Sequence, residues 1–165
     1  TKIKDSFMNG MIYDLDNEPV SGVSVYLNNQ FVSYSDIDGH FTINKTGNNE
    51  KENILFCKKD GYESVSLPVV FEIGPQLVCF KMSSFEQLVS MAEKLISENK
   101  LVDAQQILLK AEAIRENQVT VNYLNAIILY KLESYEEALT ALKKINLDNV
   151  YVDRLYDDIT QKLGK

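Results

Sequence analysis

Tryptophan is absent from this 165-residue chain, histidine occurs once, at His40, and cysteine twice. Cys57 and Cys79 have no CxxC spacing, which excludes a zinc site built from paired cysteines. Both lie in apolar runs, "ILFCKK" and "QLVCFKM", and are expected to be small buried thiols, with a disulfide between them as the alternative. No run of about 18 apolar residues occurs, so no segment is expected to insert into a membrane. Thr1-Lys2-Ile3-Lys4 lacks the apolar stretch of an export signal. An excess of positive charge is missing too. Residues 1–82 carry 7 Lys against 11 acids, net −4, and the remainder is net −3, for −7 overall. Neither half supplies the basic field that nucleic acid demands. Glycines sit singly at turns, so no loop cradles a phosphate. No cofactor is expected.

What is present divides into two periodicities. Up to Met82 the chain reads as seven short β-runs: "FMNGMIYD", "SGVSVYLN", "QFVSYS", "HFTIN", "ENILFCKK", "YESVSLPVVFE" and "QLVCFKM". Val23, Val25 and Leu27 alternate with Ser24 and Tyr26, the period of two of a strand with one buried face. Asn, Asp, Gly and Pro clusters separate the runs, which predicts an antiparallel Greek-key β-sandwich over 1–82. Pro68 predicts an edge strand or a break, because it cannot donate to a ladder.

After Pro75 no proline and a single glycine remain, and the apolar period becomes helical: Leu88, Met91, Ala92, Leu95, Ile96, then Ala104, Ile107, Leu108, Ala111. Ser84 followed by Gln87 has the spacing of a capping box. The pattern also repeats. Ala92 and Ala126, Leu95 and Leu129, Ala104 and Ala138, and Leu108 and Leu142 are each 34 residues apart. Small residues at these places let paired helices approach closely. The expectation is an α+β chain of two domains, 1–82 the sandwich and 83–165 about five helices arranged as hairpin repeats. The last helix, with Leu155, Ile159 and Leu163 on one face, is expected to cover the open end.

Two resemblances rest on these residues. The 34-residue period with alanines at the crossings resembles the tetratricopeptide repeat family, over about Ser84 to Lys165. That resemblance implies a protein-interaction module whose first helices line a concave face. On the implied face stand Glu86, Val89, Glu93 and Ile96, with Thr120, Tyr123, Ile127, Tyr130 and Lys131. Glu93 and Ile127 occupy the places where relatives that grip a terminal carboxylate carry Asn, which disfavours that ligand. Tyr123 and Tyr130 are candidate anchors for a peptide; the alternative is that they pack internally. In the first half, "GMIYDLDNEPVSGVSVYLNNQFVSYSDIDGHFTI" followed by "ILFCKKDGYESVSLPV" resembles the carboxypeptidase regulatory-like, prealbumin-like sandwich. The resemblance implies a fold common in surface, periplasmic and secreted proteins, and no catalytic residue.

Counting a calcium loop from Asp36 puts His40 at position five and Gly47 at position twelve, where ligands are required. Asp36, Asp38 and Gly39 read instead as a turn, with the aspartates bonding nearby amides, and Asp14, Asp16 and Glu18 read the same way. His40 is expected to face solvent from a strand rather than to act as a base.

The functional expectation is a non-catalytic protein-interaction or scaffold module, extracytoplasmic, with a protein or peptide partner contacted through Val89, Glu93, Ile96, Tyr123, Ile127 and Tyr130. A calcium- or carbohydrate-dependent adhesion domain using the sandwich's acidic turns is the alternative. The partner's identity and the oligomeric state are not encoded in any motif.

Overall fold

A computed structural model describes residues 6–45 and 52–164. The chain divides into two compact units, Thr1–Ser84 and Phe85–Lys165. All seven β-runs become strands: β1 Ser6–Tyr13, β2 Ser24–Leu27, β3 Gln30–Tyr34, β4 His40–Lys45, β5 Asn53–Lys58, β6 Val65–Val69 and β7 Gly74–Lys81. They form a three-stranded sheet in the order β4-β1-β7 and a four-stranded sheet in the order β3-β2-β5-β6. The chain crosses between the layers four times, in Greek-key fashion. Met8, Ile12, Phe41 and Ile43 from one sheet meet Val25, Leu55, Cys57 and Val69 from the other in a single core.

Local chemistry explains the joins. Asn28 and Asn29 both take positive φ, 50° and 67°, and make the two-residue primed turn that matches the twist of the β2–β3 hairpin. Pro68 lies in β6, an edge strand, as its missing N–H requires.

Two expectations are corrected here. The sandwich is not wholly antiparallel, because β7 runs parallel to β1 in register from Ser6 opposite Gly74 to Tyr13 opposite Lys81. Cys79 is exposed, while Cys57 is fully buried, and both are free thiols. The period of two in β7 sends Val78 and Phe80 inward, so Leu77 and Cys79 must face out.

The second unit consists of α1 Phe85–Ser97, α2 Leu101–Ile114, α3 Val119–Lys131, α4 Tyr135–Lys143 and α5 Val150–Lys162. Helix α1 pairs with α2, and α3 with α4, as two hairpins. Ala92, Ala104, Ala126 and Ala138, the residues related by 34, have no exposed surface at all, so each hairpin closes on its alanines. The repeat extends to the backbone. After α1, Asn99 takes φ 59°, its N–H donates to the Ile96 carbonyl at 3.0 Å, and the Lys100 N–H donates to Leu95 at 2.8 Å. After α3, Glu133 takes φ 60°, donates to Tyr130 at 3.0 Å, and Ser134 donates to Leu129 at 2.9 Å. Both are Schellman caps, which satisfy the carbonyls left open at a helix end.

Helix α5 starts on Asn149, whose side-chain oxygen accepts from the Tyr151 N–H at 2.8 Å. It buries Ile159 and packs Val152, Leu155 and Leu163 against the core formed by Ala138 and Leu142 of α4 and Ile145 just beyond it.

Candidate functional site

The residues of the helical face fall into two groups. Val89 on α1 and Ile127 on α3 are half-buried against the core of α1, α2 and α3. Ile96 lies inside that core at 8% exposure, which makes it a packing residue and removes it from any contact surface. Glu93 is exposed. Tyr123 and Tyr130, seven residues apart on α3, rest instead on the core shared with α4 and α5. Tyr130 meets Tyr135 edge to face, with 5.7 Å between ring centroids, a favoured aromatic geometry. Each tyrosine is therefore anchored on one side and half-exposed on the other.

Glu86, at the start of α1, accepts from Arg115, which follows α2, at 2.8 Å, and the Arg115 guanidinium sits 5.0 Å from the Phe85 ring centroid. The Glu86 carboxyl is held below its ordinary value first by its own backbone N–H at the helix start and then by Arg115. This clamp joins the free ends of the first hairpin, and nothing in the spacing of the two residues announced it. A groove of about 280 Å³ lies between α3 and α4, lined by Asn122, Asn125, Leu129, Glu137, Thr140 and Lys144. Asn122 and Asn125 interrupt a largely apolar helix, and nothing in the sequence shows that they border a groove with α4.

In the sandwich, the acidic turns are copies of each other. Asp14 Oδ1 accepts from the amides of Asp16 at 2.8 Å and Glu18 at 3.0 Å. Asp36 Oδ1 accepts from Asp38 at 2.9 Å and His40 at 2.8 Å. The residue before the last is left-handed in both, Asn17 at φ 64° and Gly39 at φ 74°. One carboxylate oxygen per turn is thus committed to the backbone, which is the turn reading of these aspartates. Among the described residues no group of three His, Cys, Asp or Glu side chains is placed to hold a metal ion.

His40 is exposed at the start of β4 and borders a shallow cavity of about 360 Å³ with Asn9, Met11, Asp36, Thr42 and Leu77. Met11 stands opposite His40 on one side and opposite Cys79 on the other. Two strand spacings, roughly 10 Å, therefore separate the imidazole strand from the thiol strand, beyond the reach of a nucleophile–base hydrogen bond. Cys57 lies in the core, where burial pushes its thiol from 9.0 up to about 12 and keeps it unreactive.

No protein-family profile matches the chain, and no curated protein matches it. Among solved structures the chain is similar to one described as "Structure of the Streptococcal ancillary pilin", at 12% identity and a TM-score of 0.38, over 51% of this chain and 34% of that one. The chain thus spans about a third of that pilin's length, and the description of the fold rests on the strand pairing and helix packing above.

Proposed function

We propose that this chain is a non-catalytic protein-interaction module, extracytoplasmic in setting, whose helical hairpins contact a protein or peptide partner through α3. The observation that carries the reading is the pair Tyr123 and Tyr130, each seated on a core with part of its ring in solvent. A ring already fixed by packing loses little freedom on binding and offers a large amphipathic contact, the usual make-up of a binding hot spot. Glu93 supplies a charge that tunes partner choice from the rim. The tandem hairpins favour the tetratricopeptide-like reading of this unit, and the two-sheet unit the prealbumin-like one. The acidic turns give the calcium-dependent alternative less support, because Asp14 and Asp36 already serve backbone amides.

A random-peptide display selection on the whole chain tests this reading. Recovered peptides are expected to bind the wild type in calorimetry and to bind Tyr123→Ala and Tyr130→Ala at least about tenfold more weakly. Glu93→Lys, on an exposed side chain, is expected to alter which peptides are selected without changing the melting temperature. Recovery of no peptide, or full binding by the tyrosine and Glu93 variants, would sink the proposal.

A further inference from the structure

The two helical hairpins repeat one another, so the first shows what packing alone puts at each place of the second. Helices α3 and α4 start 34 residues after α1 and α2. At that offset Leu88 corresponds to Asn122, Met91 to Asn125 and Ile107 to Ala141. In the first hairpin Leu88 is 2% exposed and Ile107 packs against the same core, so carbon fills the seam between the helices. The second hairpin lacks that filling. Its shorter Ala141 leaves space at the seam and its two asparagines bring amides there, around the groove of about 280 Å³.

Asn122 is the decisive residue. It is 7% exposed, and among the described residues its side-chain amide forms no hydrogen bond, while its backbone N–H donates to the Gln118 carbonyl at 3.0 Å. A buried amide without a partner costs stability, and the leucine of the first hairpin would not. The place that gives up this stability lines a groove. Such a local conflict between residue and packing is the usual mark of a functional site.

We propose that this groove binds an extended peptide segment of a partner protein, gripped by its main chain. A carboxamide carries the same donor and acceptor pair as a peptide unit, so it matches a main-chain N–H and C=O whatever the sequence. Asn122 and Asn125, three residues apart, present two such pairs about 4.5 Å apart along the helix axis. Leu129 and Ala141 add apolar wall, the other ingredient of a ligand site. Charge sets the polarity of the segment. Because α3 and α4 run antiparallel about the turn at Glu133, Lys144 is level with Asn122 and Glu137 with Leu129. Both charges are exposed, and neither is in an ion pair among the described residues. Seven residues of helix separate them by about 10 Å, the span of three residues of extended chain. The segment that fits therefore carries an acidic residue at the Asn122 end and a basic one three residues away. A sugar or a nucleobase would require a ring to stack on, and no aromatic side chain lines the groove. Tyr123 and Tyr130 do not line it either, so the groove stands independently of the reading given to them.

The probes are capped tetrapeptides, acetyl-Lys-X-X-Glu-amide and the reversed acetyl-Glu-X-X-Lys-amide with apolar X, titrated into the full chain and followed by two-dimensional NMR. Binding is expected from at least one series. Methylating the two central peptide nitrogens removes main-chain donors and keeps every side chain, and is expected to weaken binding at least about tenfold. Asn122→Leu is expected to weaken it as much while raising the melting temperature, since it installs the residue of the first hairpin. Lys144→Glu is expected to weaken it about threefold or more. Tyr151→Ala, an exposed tyrosine of α5, is expected to bind as the wild type does. Absence of binding by both series overturns the proposal, as does undiminished binding by Asn122→Leu, by Lys144→Glu or by the methylated peptides. A lower melting temperature for Asn122→Leu would make the amide a packing residue and overturns it as well.

Discussion

The ring of Phe41 lies over Gly10, its partner across the β1–β4 ladder, so closely that a β-carbon on Gly10 would fall 1.9 Å from Phe41 Cζ. A strand glycine weakens the ladder around it, and an aromatic neighbour compensates by covering the bare backbone. Gly10→Ala forces the ring off its site and is expected to destabilise the sandwich by about 1–3 kcal/mol in urea denaturation. Combining it with Phe41→Leu is expected to cost less than the two single changes added together. Additive losses would show that the ring and the glycine do not depend on each other.

The twin acidic turns predict opposite tolerances at equivalent positions. Gly39 has φ 74°, and a β-carbon there would stand 2.4 Å from the Ile12 carbonyl oxygen, so Gly39→Ala is expected to destabilise. Strained φ alone costs about 1–3 kcal/mol, and the clash adds to it. Asn17 at φ 64° already tolerates the same conformation, and Asn17→Gly is expected to be within about 0.5 kcal/mol of wild type. Equal losses from both changes would contradict the equivalence of the turns.

Glu133 holds the left-handed position of the second Schellman cap, where Asn99 stands in the first. Glutamate is a poor choice at positive φ. Glu133→Gly is expected to stabilise the helical unit by about 0.4–1 kcal/mol, read as a rise in melting temperature by circular dichroism at 222 nm. A fall would mean that the Glu133 side chain contributes more than its backbone strain costs.

The two thiols are expected to separate by accessibility. At pH 8 a disulfide reagent such as Ellman's is expected to titrate Cys79 in the native chain and both cysteines in denaturant. The Cys57 thiol, raised to about 12 by burial, also sets a pH dependence. Above the ordinary value of 9.0 the unfolded chain loses that proton while the folded chain keeps it. Folding stability is therefore complete below pH 9 and falls as pH rises toward 12, by about 1.4 kcal/mol per unit from this group. Urea titrations at pH 8 and 10 are expected to show a smaller fall for Cys57→Ala than for wild type.

Local signals made most of the fold legible. Alternation, turn residues and the 34-residue period of Ala92, Ala104, Ala126 and Ala138 point directly to the strands, the turns and the hairpins. The parallel pairing of β1 with β7 had no such signal, because its partners are 68 residues apart and share no turn. Cys79 was misplaced because Leu77, Val78, Cys79 and Phe80 are all apolar, which hides the phase of the alternation. The bulge between β2 and β3, where Val25 pairs with Ser33 and Tyr26 with Phe31, was hidden as well, because a reader of β3 must assume an unbroken period of two. On α3 the tyrosine spacing was legible, but the core each ring rests on depends on α4 and α5 and is a tertiary fact.

The parallel register of β1 and β7 has a mechanical meaning. Ser6 lies at one end of the ladder and Lys81 at the other, so tension applied between them pulls the two strands past each other along their length. Every backbone hydrogen bond from Ser6–Gly74 to Tyr13–Lys81 is then loaded together, as in a lap joint, instead of parting one after another like a zip. A sandwich closed in this way resists stretching far better than an antiparallel hairpin peeled from its open end, and in a single-molecule pulling experiment β1 and β7 are the strands that would bear the load.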